Sequence, residues 1–144
     1  MPPEFRCRDY QPGDFPAIQE LWVATGMGGA HRGDSAASIE RTLALGGRFL
    51  VLEEAGAGPF AGTAWLSTDG RRTYLHHFSI RPDLQGRGLG RQFLDVVVET
   101  ARTLGLQLKL EVDRDNAAAQ ALYRHRGFKP VAGIEVLIIR DLKA

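Results

Sequence analysis

The stretch Gln85-Gly86-Arg87-Gly88-Leu89-Gly90 stands where the character of the chain changes. Upstream of it, Phe49 to Leu52, Phe60 to Leu66 and Tyr74 to Ile80 are short runs of aromatic and aliphatic residues. They are separated by Ala55-Gly56-Ala57-Gly58-Pro59 and by Asp69-Gly70, which predicts an antiparallel meander of three strands. Downstream, Leu89, Phe93, Val97, Ala101 and Leu104 recur on one helical face, and Gly105 stops the pattern. Leu108, Leu110 and Val112 then alternate with Lys109, Glu111 and Asp113, the period of a strand. Strand, glycine loop, helix and strand form a crossover unit, so the strands at 74–80 and 107–113 are expected to be parallel.

Working outward, Phe5 and Cys7 suggest a first strand, closed by Gln11-Pro12-Gly13-Asp14. Asp14 is a candidate cap for a helix carrying Phe15, Ile18, Leu21 and Trp22, ended at Gly26, Gly28 and Gly29. Asp34 or Ser35 is expected to cap a second helix that stops at Gly46-Gly47, and Asn116 a further one from Ala117 to about Arg126, stopped by Gly127. A final strand pair is predicted around Phe128 to Val131 and Glu135 to Ile139. The fold class is therefore α+β: one domain over residues 1–144, with a central mixed sheet of six to seven strands and about four helices.

The 144 residues carry 18 basic and 17 acidic side chains, so no global field points to nucleic acid or a membrane surface, and any anion preference must be local. All the basic residues except Lys109, Lys129 and Lys143 are arginine, the better bidentate partner for phosphate oxygens. Cys7 stands alone, which excludes an intrachain disulfide, and His31, His76, His77 and His125 show no zinc-ligand spacing. The expectation is no metal, no nucleic-acid or membrane partner, and a cytoplasmic location, since the first residues lack a signal-peptide apolar segment.

A glycine-rich turn entering a helix is an anion site, because the first helical N–H groups lack intrahelical partners and the helix dipole adds positive potential. Two common phosphate loops fail against this spacing. The P-loop needs Lys-Ser/Thr after its last glycine, whereas Arg91-Gln92 follows Gly90, and the dinucleotide fingerprint needs glycine where Arg91 stands. Gln85-x-x-Gly88-x-Gly90 instead resembles the acyl-coenzyme A pyrophosphate loop of the GNAT superfamily of N-acetyltransferases, and Phe78-Ser79-Ile80-Arg81-Pro82-Asp83-Leu84 resembles the strand end before that loop. Leu110-Glu111-Val112, Asn116-Ala117-Ala118-Ala119, Ala121-Leu122-Tyr123 and Gly127-Phe128 are similar to the second conserved block of the family, especially that of the ribosomal-protein alanine N-acetyltransferases.

The resemblance implies a GNAT-like fold whose two central parallel strands splay around acetyl-CoA as co-substrate. It implies that Gln85, Gly86, Arg87, Gly88, Gly90 and Arg91 meet the pyrophosphate, that main-chain groups of Phe78 and Ile80 pair with pantetheine, and that Asn116 hydrogen-bonds the same arm. The Phe78 N–H would be the oxyanion donor and Tyr123 the general acid near the sulfur. The base stays open. Glu111 has the spacing to Tyr123 found in the ribosomal-protein enzymes, although a strand glutamate is also what a solvated residue looks like. His76 and His77 lie on the other parallel strand, where strict alternation sets Tyr74, His76 and Phe78 on one face and His77 on the opposite one. The implied activity is acetyl transfer to a primary amine, either a small molecule or a peptide N-terminus. The alternative is a non-catalytic CoA-binding or regulatory module on the same fold. A homodimer is possible, through the terminal strand and the meander around Trp65.

Overall fold

A computed structural model of the chain describes residues 1–56 and 58–143. Strands β1 (Phe5–Asp9), β2 (Arg48–Glu54), β3 (Gly62–Thr68), β4 (Arg72–Ile80) and β5 (Gln107–Leu110) form a single sheet in the order of the chain. The β1–β2, β2–β3 and β3–β4 pairs are antiparallel, whereas β4 and β5 are parallel, as the intervening crossover requires. Helices α1 (Phe15–Thr25) and α2 (Ala36–Ala44) precede β2, α3 (Leu89–Arg102) links β4 to β5, and α4 (Ala117–Arg126) follows.

Each face of the sheet carries its own core. Phe49, Val51 and Trp65 turn to one side and pack with Ile18, Leu21 and Trp22 of α1 and Ile39 of α2. Leu50, Leu52, Ala64, Leu66, Leu75 and Ile80 turn to the other and pack with Phe93, Leu94 and Val97 of α3, with Leu122 and Tyr123 of α4 at the margin. The period of two along β2 and β3 thus sorts the apolar residues between two helical layers.

Local chemistry sets the helix ends. Gly26 takes φ 72° and receives the close of α1, a left-handed turn that costs glycine nothing. Ser35 caps α2 by accepting the Ser38 N–H at 3.0 Å. Asp14 precedes α1 but its carboxylate does not cap the helix. It accepts the Gln11 N–H at 2.7 Å and two bonds from the Arg8 guanidinium, because an ionic partner on the neighbouring strand outcompetes the helix donors.

Three expectations are corrected. The described residues form five strands, not six to seven: residues 128–143 run without a ladder, and Val131, Ile134, Val136, Leu137, Ile138 and Ile139 are exposed. Strand propensity is only the ability to fit a sheet, and the run forms no strand where no neighbour takes its N–H and C=O groups. β5 is therefore an edge strand, so of the two parallel strands only β4 is central. Finally, Trp65 is 8% exposed and stacked on Trp22, so its ring belongs to the core and not to the surface of the meander.

Candidate active site

The parallel pairing ends at Leu75 against Leu110, while β4 runs on to Ile80. Along residues 76–80 the edge of β4 that faced β5 has lost its strand partner, which opens a cleft in the plane of the sheet. An extended ligand with alternating donors and acceptors can lie there as an added strand.

Within this stretch β4 carries a bulge. Thr63 pairs with Ser79 and Trp65 with His76, so His77 and Phe78 together oppose the single residue Ala64. His77 adopts φ 48°, alone among the non-glycine described residues in being positive. The extra residue overturns the expected alternation. His76 stacks on Tyr74 with ring centroids 5.4 Å apart, and His77 lies edge-on to Trp22 at 4.5 Å and to Trp65 at 5.6 Å, so both histidines face the α1–α2 side. Phe78 turns to the opposite face, against Phe93 at 5.4 Å and Tyr123 at 6.1 Å.

A buried polar network holds the bulge. The Thr63 hydroxyl donates to the His77 carbonyl at 2.8 Å, accepts from Trp22 Nε1 at 3.0 Å, and lies 2.7 Å from the Ser79 hydroxyl. Sequence reasoning passed over Thr63 and Ser79. Their only signal was that they are hydroxyls at otherwise apolar positions of β3 and β4.

The glycine loop lies at the open end of the cleft. Gly86 and Gly88 take φ 78° and 82°, and Gly88 stands at the N-terminus of the 14-residue α3 with no side-chain cap, so the first N–H groups of that helix are left for an anion. Gly90 differs: a β-carbon there would sit 3.7 Å from Ile80 and Leu122, an ordinary contact. Gln85 donates its side-chain amide to the Ile80 carbonyl at 2.8 Å, so it braces the strand end and takes up the carbonyl expected to meet pantetheine. Arg87 and Arg91 are exposed and have no carboxylate partner among the described residues. Asn116 caps α4, accepting the Ala119 N–H at 3.1 Å. These positive-φ glycines, free helix donors and flanking guanidiniums fit a pyrophosphate.

Tyr123 is half-buried between Phe78 and Phe128, and burial pushes its phenol up to about 12. It is therefore a neutral O–H at ordinary pH, and the same burial makes it a weaker acid than a free phenol. Glu111 lies just past the end of β5 and is exposed. Glu111 and Tyr123 both line a cavity of about 740 Å³ framed by β5, α4 and residues 128–136, to which the glycine loop contributes nothing. His76 hydrogen-bonds the Ser67 hydroxyl at 2.9 Å through Nε2. Burial pushes its imidazole below the usual histidine range and neighbouring His77 adds to this, while Glu111 and Asp34 oppose it. His77 Nε2 lies 2.9 Å from the Asp34 carboxylate, which also accepts the Gly29 N–H at 2.9 Å. Asp34 thus leaves the capping of α2 to Ser35, the other of the two candidates.

Among known proteins, the sequence pattern of the acetyltransferase (GNAT) family matches residues 15–128. A mycothiol acetyltransferase of Beutenbergia cavernae is 36% identical over 84 residues, 57% of this chain and 28% of that protein. The N-alpha-acetyltransferase RimI of Mycobacterium tuberculosis is 41% identical over 78 residues, 51% of this chain and 48% of its own length. The chain thus spans between about a quarter and a half of these curated relatives. Among solved structures, the yncA protein of Salmonella typhimurium with its cofactor acetyl-CoA superposes with a TM-score of 0.71 at 28% identity, over 90% of this chain and 82% of that one. The ribosomal-protein-S18-alanine N-acetyltransferase of Escherichia coli shares the fold with a TM-score of 0.73 at 24% identity, over 88% and 79% of the two chains. No helix among the described residues is long and apolar enough to cross a membrane.

Proposed function

The chain belongs to the GNAT acetyltransferase family, and from that premise we propose that it moves the acetyl group of acetyl-CoA onto a primary amine by direct attack on the thioester. The observation that carries the reading is the unpaired edge of β4 over residues 76–80, running from the bulge to the open N-terminus of α3.

In this reading the N–H groups from Gly86 to Arg91 hold the pyrophosphate, with the Arg87 and Arg91 guanidiniums beside it. Main-chain groups of Phe78 and the N–H of Ile80 pair with the pantetheine arm, and Asn116 bonds it from the other side of the cleft. The Phe78 N–H, preset by the bulge, stabilises the oxyanion that forms when the amine adds to the carbonyl. Tyr123 then protonates the leaving thiolate. The amine must be neutral to attack. With an ordinary pKa near 10 this costs roughly 4 kcal/mol at pH 7 unless a base takes the proton, and His76 and Glu111 are the side chains the sequence nominated for that task. The acceptor is a small amine or a peptide N-terminus, and the protein works in the cytoplasm without a metal.

An acetyl-CoA-dependent thiol-release assay across peptide N-termini, amino acids, polyamines and aminoglycosides tests the reading. Release with one acceptor class is the expected result. Binding of acetyl-CoA with no acceptor turned over would replace the enzyme by a CoA-binding regulatory module, and no binding would overturn both.

A further inference from the structure

The Asp34–His77 pair is a second built feature at the bulge, on the side of β4 away from Tyr123. The Asp34 side chain is 8% exposed and that of His77 18% exposed. A carboxylate this buried needs hydrogen-bond donors, and it has two, the Gly29 N–H and the His77 ring. Because an ionised carboxylate only accepts, Nε2 of His77 carries the proton in this bond, which leaves the Nδ1 lone pair free.

The ring is also held by its surroundings. Trp22 and Trp65 present their faces or edges to it at 4.5 and 5.6 Å, and the backbone φ of 48° is stabilised by the Thr63 bond to the His77 carbonyl. A positive φ at a bulky residue is strained, and the neighbouring contacts must offset that strain. The residue after it, Phe78, bears the proposed oxyanion N–H, and its ring goes to the Tyr123 face. The bulge thus sets an oriented imidazole on one face of the cleft and the phenol on the other.

The alternatives are less well placed. His76 is committed to Ser67 and stacked on Tyr74, and Glu111 stands past the end of β5 in the same cavity wall as Tyr123.

We propose that His77, oriented by Asp34, takes the proton from the acceptor amine, an assignment that rests on the acetyl-transfer reading. His77 Nδ1 accepts one proton from the ammonium group, and the freed nitrogen lone pair forms the bond to the thioester carbon. The C–S bond breaks and the thiolate takes the Tyr123 proton. The second proton of the attacking nitrogen returns to the tyrosinate through solvent, and the imidazolium releases its own to water. Asp34 is a positioning residue. The charged and titratable groups around the ring are Asp34 from the loop before α2 and His76 on its own strand, while α1 and β3 contribute the uncharged Trp22 and Trp65.

The test uses His77→Gly and His77→Asn, both of which accept a positive φ, together with Asp34→Asn. Acetyl-CoA affinity by titration calorimetry reports whether the site is intact, and thiol release with the acceptor found for the parent protein reports turnover. The expected result is unchanged affinity, kcat/KM lower by about 100-fold or more in both His77 variants, and partial restoration of His77→Gly by added imidazole. In Asp34→Asn kcat should fall while the KM for acetyl-CoA stays within about twofold of the parent, and Asp34→Glu should recover part of the loss, because only the orientation of the His77 ring is disturbed. Turnover within about threefold of the parent, loss of acetyl-CoA affinity, or a loss of turnover in His77→Gly that imidazole does not restore would each overturn the assignment. If the parent protein releases no thiol with any amine, the reading of function fails and this assignment fails with it.

Discussion

The hydroxyl of Thr63 on β3 donates to the carbonyl of His77 on β4 at 2.8 Å, across the one place where the two strands are out of register. The same oxygen accepts from Trp22 Nε1 at 3.0 Å, so a single side chain ties α1, β3 and the bulge together. Thr63→Val keeps the shape and removes every one of these bonds. It should lower stability by about 1–3 kcal/mol, read as a lower urea midpoint, because buried partners are left without a hydrogen bond. Turnover should fall more than acetyl-CoA affinity, as the bulge rather than the glycine loop loses its support.

Two glycines separated by the single residue Leu89 should respond differently. Gly88 sits at φ 82°, so Gly88→Ala should cost about 1 kcal/mol and weaken acetyl-CoA binding by distorting the entry to α3. Gly90→Ala places its methyl group at ordinary contact with Ile80 and Leu122 and should be tolerated in both respects. Thermal unfolding with calorimetric titration of acetyl-CoA separates the two outcomes.

Tyr123→Phe keeps the ring between Phe78 and Phe128 and deletes only the O–H. Turnover should drop by about 100-fold with acetyl-CoA affinity retained, the signature of a group needed in the transition state and not for binding. The basic limb of the parent pH profile should lie above the ordinary phenol value of 10, because burial pushes the Tyr123 phenol up.

His76 supplies a pH dependence of stability. Burial holds its imidazole below the ordinary value of 6.5, so the unfolded chain takes up a proton at a pH where the folded protein resists it. Acidification therefore favours unfolding, starting near pH 6.5 and levelling off once the folded-state group also titrates. Chemical denaturation between pH 7 and 5 should show a falling midpoint, and His76→Gln, which can still bond Ser67, should flatten that decline.

Much of the fold was legible because local signals and the final structure agree. The β3–β4 and α3 periodicities, the parallel crossover, and the stops at Gly26 and Gly127 are all where short-range patterning and left-handed glycines put them. The last two strands were misread for a physical reason. Val136 to Ile139 has the composition of a strand, but a strand exists only when another one takes its hydrogen bonds, and composition does not report a partner.

At the site, the sequence by itself determined the shape of the glycine loop, since Gly86 and Gly88 take positive φ at a helix start, a matter of spacing along one segment. It also determined which side chains were available: Tyr123, Glu111 and the histidine pair. Which face each occupies was decided only by the tertiary structure. One extra residue in β4, held by Thr63 and Trp22 from two other elements, rotates Phe78 toward Tyr123 and turns His77 to join His76 on the Asp34 side. A period of two carries no record of such a slip, because the contacts that stabilise it come from residues 14 and 41 positions away from one another along the chain.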